Sequence, residues 1–203
     1  MTSTAVAPVP TTPATDTRAA VLRRLRWAWP VAVLLGFPIG GYAGSLIAGK
    51  VDAVGPALAA GLIAGAIAGA AQLWALRPLV DWTWVAATSI GMAVGLAAGA
   101  ALVDYGLGRG DLMLMGAVTG LGAGGLQALV LARSGLGGRA LWWAVASPPA
   151  WALAWLVTTY VISRNVAERF PNFGASGALV FAALTLLLLT YLFRPAPPEA
   201  PPE

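Results

Sequence analysis

The sequence predicts an all-α membrane protein: six transmembrane helices from three tandem parallel helix-pair repeats, packed along glycine ladders. Three observations predict it. The 203 residues are 59% hydrophobic and 10% charged, against about 45–50% and 25% in ordinary globular domains. Six apolar segments follow one another with short polar breaks, each long enough to cross a hydrocarbon core of about 30 Å as a helix. Most informative, the pattern repeats without a gap at an offset of 55 residues. Trp27-x-Trp29 with Gly36, Gly40 and Gly44 recurs as Trp82-x-Trp84 with Gly91, Gly95 and Gly99. Gly61, Gly65, Gly69, Gln72 and Leu76 recur as Gly116, Gly120, Gly124, Gln127 and Leu131.

Taken in order, the expected spans are residues 27–49, 55–77, 82–104, 111–133, 140–163 and 173–194. Residues 1–17 are rich in Thr, Pro and Ala with no apolar period, so a disordered tail is expected. Residues 18–194 form the expected six-helix domain. Residues 195–203, PAPPEAPPE, read as a Pro-rich tail of polyproline type. Pro56 sits where a helix start tolerates it, and Pro78 acts as a stop after the second span. Short loops make sequential helices antiparallel neighbours. A repeat containing two spans returns to its starting side, so the repeats are parallel rather than inverted.

The third repeat is decayed. Trp84, Ala87, Thr88 and Gly91 align with Trp143, Ala146, Ser147 and Ala150 at an offset of 59. An offset of 58 carries Gly116, Gly120, Gly124 and Gln127 onto Gly174, Ala178, Ala182 and Thr185. The small residues persist there and the glutamine does not.

The side that carries the N-terminus holds eight basic residues: Arg18, Arg23, Arg24, Arg26, Arg77, Arg133, Arg139 and Arg194. The other side holds four, Lys50, Arg109, Arg164 and Arg169, mixed with carboxylates. The positive-inside rule then places both termini of this multi-pass protein in the cytoplasm. Trp27, Trp29, Trp74, Trp82, Trp84, Trp142 and Trp143 fall near that face and are expected to form one interfacial belt. Tyr105, Tyr160, Phe170 and Phe173 are expected to mark the opposite interface. Trp151 and Trp155 are expected to face lipid or a partner.

The glycine ladders at Gly36, Gly40, Gly44, Gly61, Gly65, Gly69, Gly91, Gly95, Gly99, Gly116, Gly120 and Gly124 carry the packing signal. Small residues every fourth position line one stripe of a helix and let a second backbone come close, as in a glycine zipper. Gln72 and Gln127 lie on the ladder faces, with Thr88 and Ser147 at similar depth. Two readings of that group stand side by side: interhelical hydrogen bonds, or a polar constriction on a solute path. Ser147-Pro148-Pro149 adds a kink in the fifth span.

Absences bound the chemistry. There are no Cys and no His, and no charged residue lies in the middle of a span. Thiolate and imidazole metal sites, the usual haem ligands and the usual general base all lack their residues. Ion-coupled carriers use intramembrane charges that this chain does not offer. No catalytic, cofactor-binding or metal-ligating residue is therefore expected, and no enzyme. The net charge of +4 is assigned to helix ends rather than to nucleic acid. The expected partners are the lipid bilayer and other membrane subunits or further copies of the chain. The expected role is non-enzymatic: a packing, scaffold or accessory subunit of a membrane assembly. The alternative is a channel or facilitator for a small neutral solute.

Overall fold

The computed structural model describes residues 14–161 and 171–194. It holds six α-helices: α1 Ala14–Ala48, α2 Val54–Leu76, α3 Thr83–Leu102, α4 Arg109–Leu131, α5 Leu141–Val161 and α6 Ala175–Leu192. Among the described residues there is no strand. Five uninterrupted helical stretches are long and apolar enough to cross a membrane, the fourth running Arg109–Val161 through both α4 and α5. Helix ends lie within two residues of the expected spans except at the start of α1. That helix begins at Ala14, inside the segment expected to be a tail. Residues 1–13 and 195–203 lie outside the described residues, as does Phe170.

Local chemistry sets these boundaries. Pro56 falls in the first turn of α2, where backbone N–H groups have no intrahelical partner. Arg77 is extended, with φ −61° and ψ 139°, as the residue before Pro78 prefers. At the start of α3, Asp81 Oδ1 accepts the Thr83 amide at 2.9 Å and the Thr83 hydroxyl. The hydroxyl bond, then the amide bond, lower the Asp81 carboxyl below its ordinary pKa. Asp111 Oδ2 accepts the Gly108 N–H at 3.0 Å and steadies the first turn of α4. Between α4 and α5 a π-helical turn, Ala132–Leu136, leads into a 3-10 turn, Gly137–Ala140. Gly135 and Gly137 have φ of 95° and 51°, and their positive φ lets the chain reverse there.

The helices form a closed ring in chain order, each packed on the next and α6 packed on α1. The glycines act as a relay around it. Gly36, Gly40 and Gly44 of α1 face Ala68, Ala64 and Ala60 of α2. Gly61, Gly65 and Gly69 of α2 face Ala93, Ser89 and Val85 of α3. Gly91, Gly95 and Gly99 of α3 face Ala123, Thr119 and Met115 of α4. Gly116, Gly120 and Gly124 of α4 face Trp155, Trp151 and Ser147 of α5. In every pair the numbers run in opposite directions, so neighbours are antiparallel. From α1 to α4 the contacts are largely backbone to backbone, so that a Cβ on Gly65 would stand 2.6 Å from the Ser89 Cα, whereas the α4 glycines meet chiefly the side chains of Trp155, Trp151 and Ser147. Leu35, Ile39, Leu62, Ile90, Val94, Leu121, Leu129, Val145 and Leu187 point outward and are exposed, giving the apolar outer surface a bilayer requires.

The interior departs from the expected aromatic belt. Trp29, Trp84 and Trp143 are fully buried, while Trp27, Trp74, Trp82 and Trp142 are exposed. The reason is helical geometry. Two residues apart is a turn of about 200°, so in Trp-x-Trp one ring faces outward and the other faces the axis. Trp151 and Trp155 are likewise buried rather than lipid-facing, and Phe173 is buried rather than interfacial. Phe37, Trp151, Phe173 and Phe181 fill the half of the bundle away from the termini. Phe37 stacks on Phe173 at 4.8 Å and meets Trp151 at 5.4 Å. Asn172 Nδ2 donates to the Phe37 carbonyl at 2.8 Å and ties the segment before α6 to α1.

Candidate polar site at the bundle axis

Three of the four polar residues singled out in the sequence meet in one network. Gln127 Nε2 donates to Thr88 Oγ1 at 2.8 Å and to Gln72 Oε1 at 3.2 Å. Thr88 Oγ1 in turn donates to the Trp84 carbonyl one turn back. Ser147 is not joined to the glutamines. Its hydroxyl donates to the Trp143 carbonyl of its own helix at 2.7 Å. All four are buried, from 1% exposed at Gln72 and Thr88 to 5% at Gln127.

The indoles complete the arrangement. Trp84 Nε1 donates to Gln72 Oε1 at 3.0 Å, and Trp143 Nε1 donates to Gln127 Oε1 at 2.9 Å. Trp29 Nε1 donates to Thr185 Oγ1 at 2.9 Å. An indole N–H can only donate, so each bond fixes an acceptor oxygen toward the axis. The three bonds run α3 to α2, α5 to α4 and α1 to α6. They close a circle in which every Trp-led helix holds the polar residue of the preceding helix. Thr185 stands where the glutamine is missing from the sixth helix, and its hydroxyl does the accepting.

The Trp143 ring also touches the other two. Trp29 meets Trp143 at 6.0 Å and Trp84 meets Trp143 at 5.9 Å, both edge to face. They come from alternate helices of the ring, so they fill its centre. Edge-to-face pairs of this kind contribute about 0.5–1.5 kcal/mol beyond their area burial. The acceptor oxygens of Gln72, Gln127 and Thr185 therefore find their donors within the protein.

Sequence reasoning missed the three indoles and Thr185. The signal was partial: the tryptophans recur as the polar positions do, but Gln72 precedes Trp84 by 12 residues and Gln127 precedes Trp143 by 16. What the helical period adds is that the second tryptophan of each pair shares a face with the small residues.

Among the described residues, no three His, Cys, Asp or Glu side chains gather in one place. No protein-family model matches the chain, and no curated protein or solved structure matches it.

Proposed function

We propose that the chain is a multi-pass membrane bundle that crosses six times as three parallel helix-pair repeats, and that it acts as a non-enzymatic packing or scaffold subunit. Counting α4 and α5 as separate crossings rests on their antiparallel contact through Gly116, Gly120 and Gly124. The eight-to-four division of basic residues supports cytoplasmic termini. Reporters fused after Leu107 and after Gly137 should report opposite sides; the same side for both would overturn the six-crossing topology.

One observation carries the packing role: the acceptor oxygens of Gln72, Gln127 and Thr185 are taken by indole donors inside a centre filled with aromatic rings. A solute path through this group would have to break those bonds and displace three fully buried tryptophans. The facilitator reading predicts the contrary, polar groups left free to exchange partners with a passing solute. Liposome swelling with a panel of small neutral solutes tests the choice. Reconstituted wild type should show no flux above protein-free vesicles. Flux that vanishes in a well-folded Gln72→Leu/Gln127→Leu variant would establish the facilitator instead. The partners of the packing role are other membrane subunits or further copies of this chain, engaged through the apolar outer surface.

A further inference from the structure

We propose that the α1–α2 corner at the end carrying the N-terminus binds the headgroup of an anionic phospholipid. The helix α1 starts well before its apolar stretch, and the extra turns are basic. Arg23, Arg26 and Trp27 are exposed and stand three or four residues apart, so they share one arc of the helix surface. Arg24 turns the other way, onto α2. Its Nη2 donates to the Trp74 carbonyl at 2.6 Å and its Nη1 to the Arg77 carbonyl at 3.2 Å. Its guanidinium lies over the Trp74 ring at 5.2 Å. These bonds hold the basic turn of α1 against the end of α2, and bring Arg77 beside it.

Four arginines, Arg23, Arg24, Arg26 and Arg77, therefore stand at one corner, and the corner has an exposed aromatic floor. Trp27 and Trp74 meet edge to face at 5.6 Å and are 56% and 44% exposed. Exposed indoles settle at headgroup level. By the helical rise, Arg26 and Arg23 stand about 2 and 6 Å beyond Trp27, at the depth of lipid phosphates. Guanidinium matches a phosphate with paired donors. Among the described side chains, the carboxylate at this end is Asp81, whose Oδ1 is bonded to Thr83 at the start of α3.

The pseudo-equivalent corners lack these features. Leu79 stands at the Arg24 position of the second repeat. In the third, Arg139 caps α6 through the Tyr191 carbonyl at 2.9 Å, but Gly137 and Gly138 precede it where α1 carries arginines. The site depends on membrane embedding and not on the packing role, so either can fail alone.

Native mass spectrometry of the delipidated protein tests it, with phosphatidylglycerol, phosphatidylcholine or inorganic phosphate added at matched concentrations. Phosphatidylglycerol should bind in preference to the other two. Arg23→Gln/Arg26→Gln should weaken that binding about thirty-fold, from about fivefold per juxtamembrane arginine, with the melting temperature unchanged. Arg23→Lys/Arg26→Lys should keep most of the binding and controls for any loss of fold in the first variant. Arg133→Gln/Arg194→Gln should bind as wild type. Equal affinity for phosphatidylcholine would overturn the proposal, as would equal affinity for inorganic phosphate. So would equal weakening in the Arg133/Arg194 pair, which would mean a diffuse basic surface.

Discussion

Gln127 is the most connected side chain of the axial network, and replacing it with leucine tests the network most severely. It accepts from Trp143 Nε1 and donates to Thr88 and Gln72. In Gln127→Leu, Thr88 keeps its bond to the Trp84 carbonyl and Gln72 Oε1 keeps the Trp84 donor. Trp143 Nε1 is the group left without a partner, in a ring with no exposure. A buried polar group orphaned in this way costs about 1–3 kcal/mol, whereas removing both partners together can be nearly neutral. A double-mutant cycle with Trp143→Phe isolates that term, because the other losses cancel. The double variant should be less destabilised than the sum of the singles by about 0.6–2 kcal/mol, the range of interhelical hydrogen bonds in membranes. Equilibrium unfolding in mixed micelles measures all four corners. Additivity to within about 0.3–0.5 kcal/mol would mean that the indole and the glutamine do not hold each other, and the reasoning would fail.

Two further outcomes follow from the same geometry. Gly91→Leu should destabilise by about 1–3 kcal/mol or more, since a Cβ there meets Ala123 Cα at 2.5 Å and Gly122 O at 2.6 Å. Gly125→Leu, which meets nothing within 4 Å, should be tolerated; equal thermal stability of the two variants would sink the close-packing account. Thr185→Val should cost about 1–3 kcal/mol by orphaning Trp29 Nε1, while Thr185→Ser keeps an acceptor and should cost less; chemical unfolding of both, in the reverse order, would remove Thr185 from the ring.

What the sequence made legible was whatever depends on periodicity. Helix positions follow from apolar length and from Pro56 and Pro78, and the close approaches follow from glycines four residues apart. The depth of Gln72 and Gln127 was legible because both count back from the same helix end. Less legible was the facing of the aromatic residues. Seven tryptophans near one end look like a belt, and only the 200° between Trp27 and Trp29, or between Trp82 and Trp84, divides them into lipid-facing and axial rings. Trp151, Trp155 and Phe173 were misread because hydrophobicity cannot tell a lipid-facing ring from a buried one: lipid and core are equally apolar. The role of Thr185 was hidden because a threonine in an apolar helix usually bonds its own backbone. Its hydroxyl does so here, toward the Phe181 carbonyl, while accepting from Trp29.

On the proposed three-repeat reading, the departures from threefold regularity belong together. Each of the first four helices lays its glycines against the helix that follows; α5 has none and Gly177 of α6 faces back to Ala154, so the relay stops before the seam where α6 closes on α1. At that seam α6 and α1 meet through side chains: Trp29 reaches Thr185, and Phe37 packs on Phe181 at 5.3 Å. Backbones that do not touch leave volume between them, and an apolar interior is filled to the density of an organic crystal. Phe37, Phe173 and Phe181 supply that volume, and Asn172 pins Phe173 beside them. The hydrogen bonds vary in the same way. The position four residues after the axial tryptophan is Val33 in the first repeat, Thr88 in the second and Ser147 in the third. Only Thr88 bonds a glutamine, Gln127; Gln72 has Val33 at the corresponding position of its own repeat, and its Oε1 accepts two donors. The loss of ladder glycines in α6 and the gain of aromatics beside it are thus one change: the closing contact of the ring exchanges backbone proximity for ring volume, while Trp29 keeps its acceptor.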